Sequence, residues 1–329
     1  MDFWLRAWHF IPSVVVGCVA IAVLYLYAIG PLRRQYELGP PVKRSRAIVF
    51  LLGVLVIFLA LVSPLDELGD DYLFSAHMLQ HLLITLVAPP MMLWGLPGWL
   101  LTPLLRNRRL FRLARVLTLP VVTFFLFNAD IFLWHAPPLY DATLENEWIH
   151  VFEHLTFIAL SFLFWWPVLS PLEGELGPLP LPGQVLYLFL SGMPMVLLGA
   201  GLTFVPPLYA PYLAAPRIWG ISAATDQQIG GLIMWVPANI LVIVLMSVLF
   251  IRWMLDQERR QAERERLAWL QEEQEQQGRS AQPAGDQSSA GSGEGGSGGE
   301  AGKERRERET GASLPPSVST YERPGERRS

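Results

Sequence analysis

His77 and His81 lie four residues apart in "SAHMLQHLLITLVAPPMMLWG", a stretch otherwise fit for lipid, and His150 and His154 repeat that spacing in "EWIHVFEHLTFIALSFLFWW". Residues four apart share one helix face at about 6 Å. Imidazole is costly in hydrocarbon, so a pair on one face implies a task. The neutral ring ligates copper, zinc and iron alike. Hydrogen bonding between helices is the plain alternative. His9 and His135 are single histidines at expected helix ends, where solvation beside tryptophan accounts for them as well as ligation does.

The elements that must carry these rings are membrane helices. From Trp4 to about Met254 the chain is a succession of apolar runs, several reaching the roughly 20 residues that cross a bilayer as a helix. The expected class is all-α, a polytopic bundle of about seven transmembrane helices near 10–30, 47–63, 76–95, 118–135, 149–169, 183–204 and 228–253. The first run has its dense positive charge after it, at Arg33 and Arg34, and so reads as an uncleaved span. Loops "PLRRQYELGPPVKRSR" and "LLRNRRLFRLAR" are basic, whereas "SPLDELGDDY" and "HAPPLYDATLENEW" contain no Lys or Arg. That alternation predicts an outside N-terminus and a cytoplasmic C-terminus.

On this topology all six histidines fall at the outer ends of their helices. If the two paired faces meet inside the bundle, up to four imidazoles converge there. Asp130 lies at a similar depth. In "TDQQIGGLIMW", Asp226, Gly230 and Met234 form one stripe at four-residue steps, and Gly230 and Gly231 allow close helix approach. Asp226 has three readings: a ligand, a partner that orients an imidazole, or a charge at a helix start. Met193 and Met195, beside Pro194, read as packing or as a thioether relay towards the outer site. One cysteine, Cys18, excludes a disulfide framework and any thiolate cluster. A set of His and Met without Cys favours Cu(I) and holds it loosely enough to release it.

The strings "HMLQHLLITLVAPPMMLWG", "WHAPPLYDATLENEWIHVFEHLTFIALSFLFWWPVL" and "LYAPYLAAPRIWGISAATDQQIGGLIMW" resemble the CtaG-type cytochrome c oxidase assembly factors, the polytopic family associated with caa-type terminal oxidases. The resemblance covers roughly residues 45 to 255. It implies a multi-pass protein of the bacterial plasma membrane that matures a haem–copper oxidase through its copper. The family's recurrent polar positions correspond to His77, Gln80, His81, His135, Tyr140, Asp141, His150, Glu153, His154, Asp226 and Gln227.

The favoured reading is a non-enzymatic assembly factor. His77, His81, His150 and His154, with Asp226, His135 and Met234 close by, would bind copper, expected as Cu(I) with zinc as the alternative, and pass it to an oxidase subunit. A soluble extracytoplasmic copper chaperone is the expected donor, and no nucleic-acid partner is expected. Two other readings stay open. A membrane zinc or di-metal hydrolase would use Glu153 or Asp226 as general base, although there is no HExxH motif. A haem b electron-transfer protein would draw axial histidines from the third and fifth spans. The expected organisation is a transmembrane domain over 1–254, a charged cytoplasmic helical extension over 255–277, and a tail over 278–329. That tail is too rich in Gly, Ser and charge to fold.

Overall fold

The computed structural model describes Ala7, Trp8 and residues 10–280; His9 and the tail from 281 lie outside them. The chain divides into two units, Met1–Leu267 and Ala268–Ser329, and the description here concerns the first. Every regular element among the described residues is helical. Besides a few single-turn helices, the helices are α1 (Pro12–Tyr36), α2 (Arg44–Val62), α3 (Pro64–Asp71), α4 (Phe74–Gly95), α5 (Arg108–Leu117), α6 (Pro120–Trp134), α7 (Pro137–Glu145), α8 (Glu147–Leu169), α9 (Leu181–Phe204), α10 (Ala210–Ala214) and α11 (Ala223–Ser280). Six are long and apolar enough to cross a membrane, and a seventh span results if α5 and α6, bent by 66° at their junction, count together. Alone, α6 has 15 residues, about 22 Å at 1.5 Å per residue, short of the roughly 30 Å of a bilayer core.

Two segments expected as loops are helices. Ser63 accepts from the Leu65 N–H and is followed by Pro64 at the first helical position, so "SPLDELGDDY" starts α3. Pro137 opens α7 in the same way. Asn107 caps α5, whose Arg108, Arg109, Arg112 and Arg115 alternate with Leu110, Leu113 and Val116. This is the composition of a helix lying along a membrane surface.

Helix α4 is the central element: 61% of its apolar window is buried, against 17% for α1. Pro89 has no N–H to give the Thr85 carbonyl, and the helix widens to π geometry over Leu83–Val87 just before it. The freed Thr85 oxygen accepts instead from Trp165 Nε1 at 3.0 Å, which ties α4 to α8. Gln80 ties α4 to the other side, donating to the Ala60 carbonyl at 3.0 Å and to Asp66 at 2.6 Å. One apolar core (Phe50, Ile84, Leu93, Phe127, Phe157 and Trp165 among others) fills the bundle. A second, around Phe74, Met78, Tyr140, Tyr209, Tyr212 and Met234, packs at the start of α4.

The close helix approach expected at Gly230 and Gly231 is present. A Cβ on Gly231 would stand 2.7 Å from the Thr203 nitrogen and 2.8 Å from the Gly199 oxygen, whereas one on Gly201 would meet nothing within 4 Å. Because two of the three nearest atoms are backbone, the third being Thr203 Oγ1, α9 and α11 must separate to admit a methyl. Gly231→Ala should therefore cost about 1–3 kcal/mol and lower the thermal midpoint in detergent. Gly201→Ala should leave that midpoint where it is or raise it slightly, through better helix propensity.

Candidate metal centre

The two histidine pairs do meet. Helix α4 brings His77 and His81, and α8 brings His150 and His154, to the same end of the bundle. Ring centroids are 4.2 Å apart within each pair, 5.3 Å between His77 and His150, and 5.3 Å between His81 and His154. One donor atom each from His77, His150, Glu153 and His154 all lie within 4.8 Å of one another. His81 adjoins that group, its Nε2 being 2.8 Å from His77 Nε2 and 3.8 Å from Glu153 Oε1. Glu153 and His77 are fully buried, and His81 and His154 nearly so.

The surroundings fix one tautomer. Tyr212, on α10, donates its hydroxyl to the Gly69 carbonyl, and its oxygen is 3.2 Å from His77 Nδ1. With the hydroxyl proton so used, His77 Nδ1 must carry hydrogen and donate, which leaves its Nε2 lone pair facing the cluster. Around it, several polar atoms have no hydrogen-bond partner: His81 Nδ1, His150 Nε2, His154 Nε2 and both Glu153 oxygens. Unpaired buried groups cost roughly 1–3 kcal/mol each, so a concentration of them in one place calls for an ion or water. The donor set fits a metal cation: imidazole nitrogens plus one carboxylate that offsets its charge where the dielectric is low.

A cleft of about 350 Å³ between α1, α3 and α8 reaches the centre, with Asp66, Asp70, Glu147, His150 and His154 on its walls. Asp70 stands 3.6 Å from His150 Nδ1 and 3.8 Å from His77 Nδ1. Burial, with Asp66 and Asp71 adding like charge, pushes its carboxyl up to about 8.

The other expected residues are placed differently. His135, the C-cap of α6, lies beside the group with its ring 6.1 Å from His81 and edge-on to it, and its Nε2 is 3.4 Å from Met78 Sδ. Asp226 is taken up by the start of α4, accepting from the Phe74 N–H at 2.7 Å, the Ser75 N–H at 3.1 Å and the Ser75 hydroxyl. This is the helix-start charge among its three readings, supplied by a different helix. Met234 packs in the aromatic cluster with Met78 and Tyr140. Met193 is 53% exposed on the outer surface of the bundle, while Met195 packs among the core side chains. Gln227 holds the connection between α9 and α10, accepting from the Leu208 N–H and donating towards the Leu202, Val205 and Pro206 carbonyls. Residue reasoning weighed Glu153 only as a general base and did not single out Met78 or Tyr212. Glu153 had a visible signal, lying three residues after His150 and hence on the same face.

Fold and cluster together define a multi-span helical membrane protein with a buried imidazole–carboxylate centre. Residues 23–256 match the family described as cytochrome c oxidase caa3 assembly factor, and the chain belongs to that family. It is 26% identical over 291 residues to uncharacterized proteins of Mycobacterium bovis and Mycobacterium tuberculosis, and 24% identical over 285 residues to one of Mycobacterium leprae. The alignments cover 79%, 79% and 80% of this chain but 41% of each relative, so the chain spans about two-fifths of the length of the curated relatives it matches. No solved structure matches the chain.

The contrast between used and unused polar groups is testable by stability. Asp226→Ala removes the acceptor of one buried and one part-buried backbone donor and should cost about 1–3 kcal/mol, seen as a lower thermal midpoint. His154→Leu removes a ring whose Nε2 is unpaired, so the metal-free midpoint should hold or rise. A large fall for His154→Leu would show that the imidazole is packing rather than a waiting donor.

Proposed function

We propose that this protein matures a haem–copper cytochrome c oxidase in the plasma membrane of a bacterium by binding copper in the imidazole cluster and passing it to an oxidase subunit. Membership of the assembly-factor family supports the process. The observation that carries the chemistry is the convergence of buried, unpartnered donors from two helices within 4.8 Å. Copper is cargo in this reading. It enters by the cleft beside Asp70, so His150 and His154 meet it first, and His77, His81 and Glu153 complete its coordination. The lone thiol, Cys18, is buried in the apolar core against α1's neighbours and is no part of the centre. Neutral imidazoles and one carboxylate bind copper less tenaciously than a thiolate pair, which suits a site that must release its ion. The charge pattern of the loops supports an outer-side position for this end of the bundle, where a soluble copper chaperone could supply the ion.

The imidazoles and the Glu153 carboxylate also suit zinc, and the same experiment separates the metals. Copper and zinc per chain are measured by mass spectrometry on purified wild type and on His77→Ala/His81→Ala, alongside oxidase activity in membranes of cells carrying each form. Wild type should hold copper; the double variant should lose most of it and fail to restore oxidase activity. Equal copper in both, or zinc in place of copper, would overturn the proposal.

A further inference from the structure

We infer that Met78 and His135 form a second, softer copper-binding station beside the imidazole–carboxylate cluster, one that selects Cu(I). This rests on the reading of the cluster as a copper site. His135 Nδ1 lies 2.7 Å from the Ile131 carbonyl oxygen, and its Nε2 lies 3.4 Å from Met78 Sδ. A carbonyl only accepts, so Nδ1 carries the hydrogen; the opposite neutral tautomer would press a bare nitrogen against that oxygen. The Nε2 that faces Met78 is then a lone pair, and a thioether sulfur brings no hydrogen either. Two acceptors therefore face each other where His135 is 5% and Met78 1% exposed. A second proton on the ring would bury a cation among four other imidazoles.

A metal ion that both atoms ligate resolves the conflict. With bonds of about 2.0 Å to nitrogen and about 2.3 Å to sulfur, a separation of 3.4 Å corresponds to an angle at the metal near tetrahedral. Thioether with neutral imidazole is a soft, uncharged pair, which suits Cu(I) and serves Zn(II) or Cu(II) poorly. His81 links the two stations. Its ring is 4.2 Å from His77 and 6.1 Å from His135, its Nε2 is turned to the cluster, and its Nδ1 has no partner. An ion can then exchange one imidazole at a time, from the set that contains a carboxylate to the set that contains sulfur, without leaving protein ligands.

The test is X-ray absorption at the copper edge on the purified full-length protein, loaded with Cu(I) under reducing conditions. Wild type should show a sulfur scatterer at about 2.3 Å beside nitrogen scatterers. Met78→Leu, a swap of similar volume, should lose the sulfur while keeping a nitrogen-only copper, and Met234→Leu should keep the sulfur. In competition with a Cu(I) chelator, Met78→Leu should bind at least about tenfold more weakly while Zn(II) affinity is unchanged. Nitrogen-only copper in wild type, or sulfur retained in Met78→Leu, would overturn this station and leave the cluster reading standing. Wild type that takes up no copper would overturn both.

Discussion

A membrane bundle has no water in its interior to hydrogen-bond polar groups, so each buried nitrogen and oxygen needs a partner supplied by the protein or by a ligand. At the start of α4 and α8 that requirement is left unmet on several imidazoles and a carboxylate at once. The groups are oriented towards one another rather than spread out, and they are neutral donors apart from Glu153. A cation bound at their common point would satisfy several of them together.

The neighbouring polar contacts do the opposite work: each holds a segment of the site's frame. Gln80 ties α4 to α2 and α3, the Thr85 carbonyl freed by Pro89 receives Trp165 from α8, and Asp226 secures the first turn of α4 from α11. Gln227 and Tyr209 hold the α9–α10 connection, the latter donating to the His135 carbonyl, and so set α10 where Tyr212 reaches His77. Contacts that position the helices thus surround a group of unpartnered donors that face a common point.

Much of this was legible in the sequence, for physical reasons. Apolar runs of bilayer length mark spans because lipid tolerates little else, and the helical period alone puts His77 with His81 and His150 with His154 on shared faces. What the chain order does not reveal is which faces meet. Asp226 looked equally fit to ligate a metal, and only the juxtaposition of α11 with α4 shows its carboxylate occupied by Phe74 and Ser75. Met78, itself apolar, reads as packing until His135 is found against its sulfur. Tyr212 lies 135 residues from the ring whose tautomer it fixes. The short helices α3 and α7 carried readable start signals at Ser63–Pro64 and Pro137, masked by the polar composition that also marks loops.

The central claim, that α4 and α8 present their imidazoles to one exchangeable ion, is tested most directly by anomalous diffraction at the copper edge from crystals soaked in Cu(I) under reducing conditions. The account predicts a peak within bonding distance of imidazole nitrogens from both helices, at the end of the bundle where Glu153 is buried. A peak confined to one helix or elsewhere on the protein would contradict it, as would an empty centre in which the rings simply hydrogen-bond to one another.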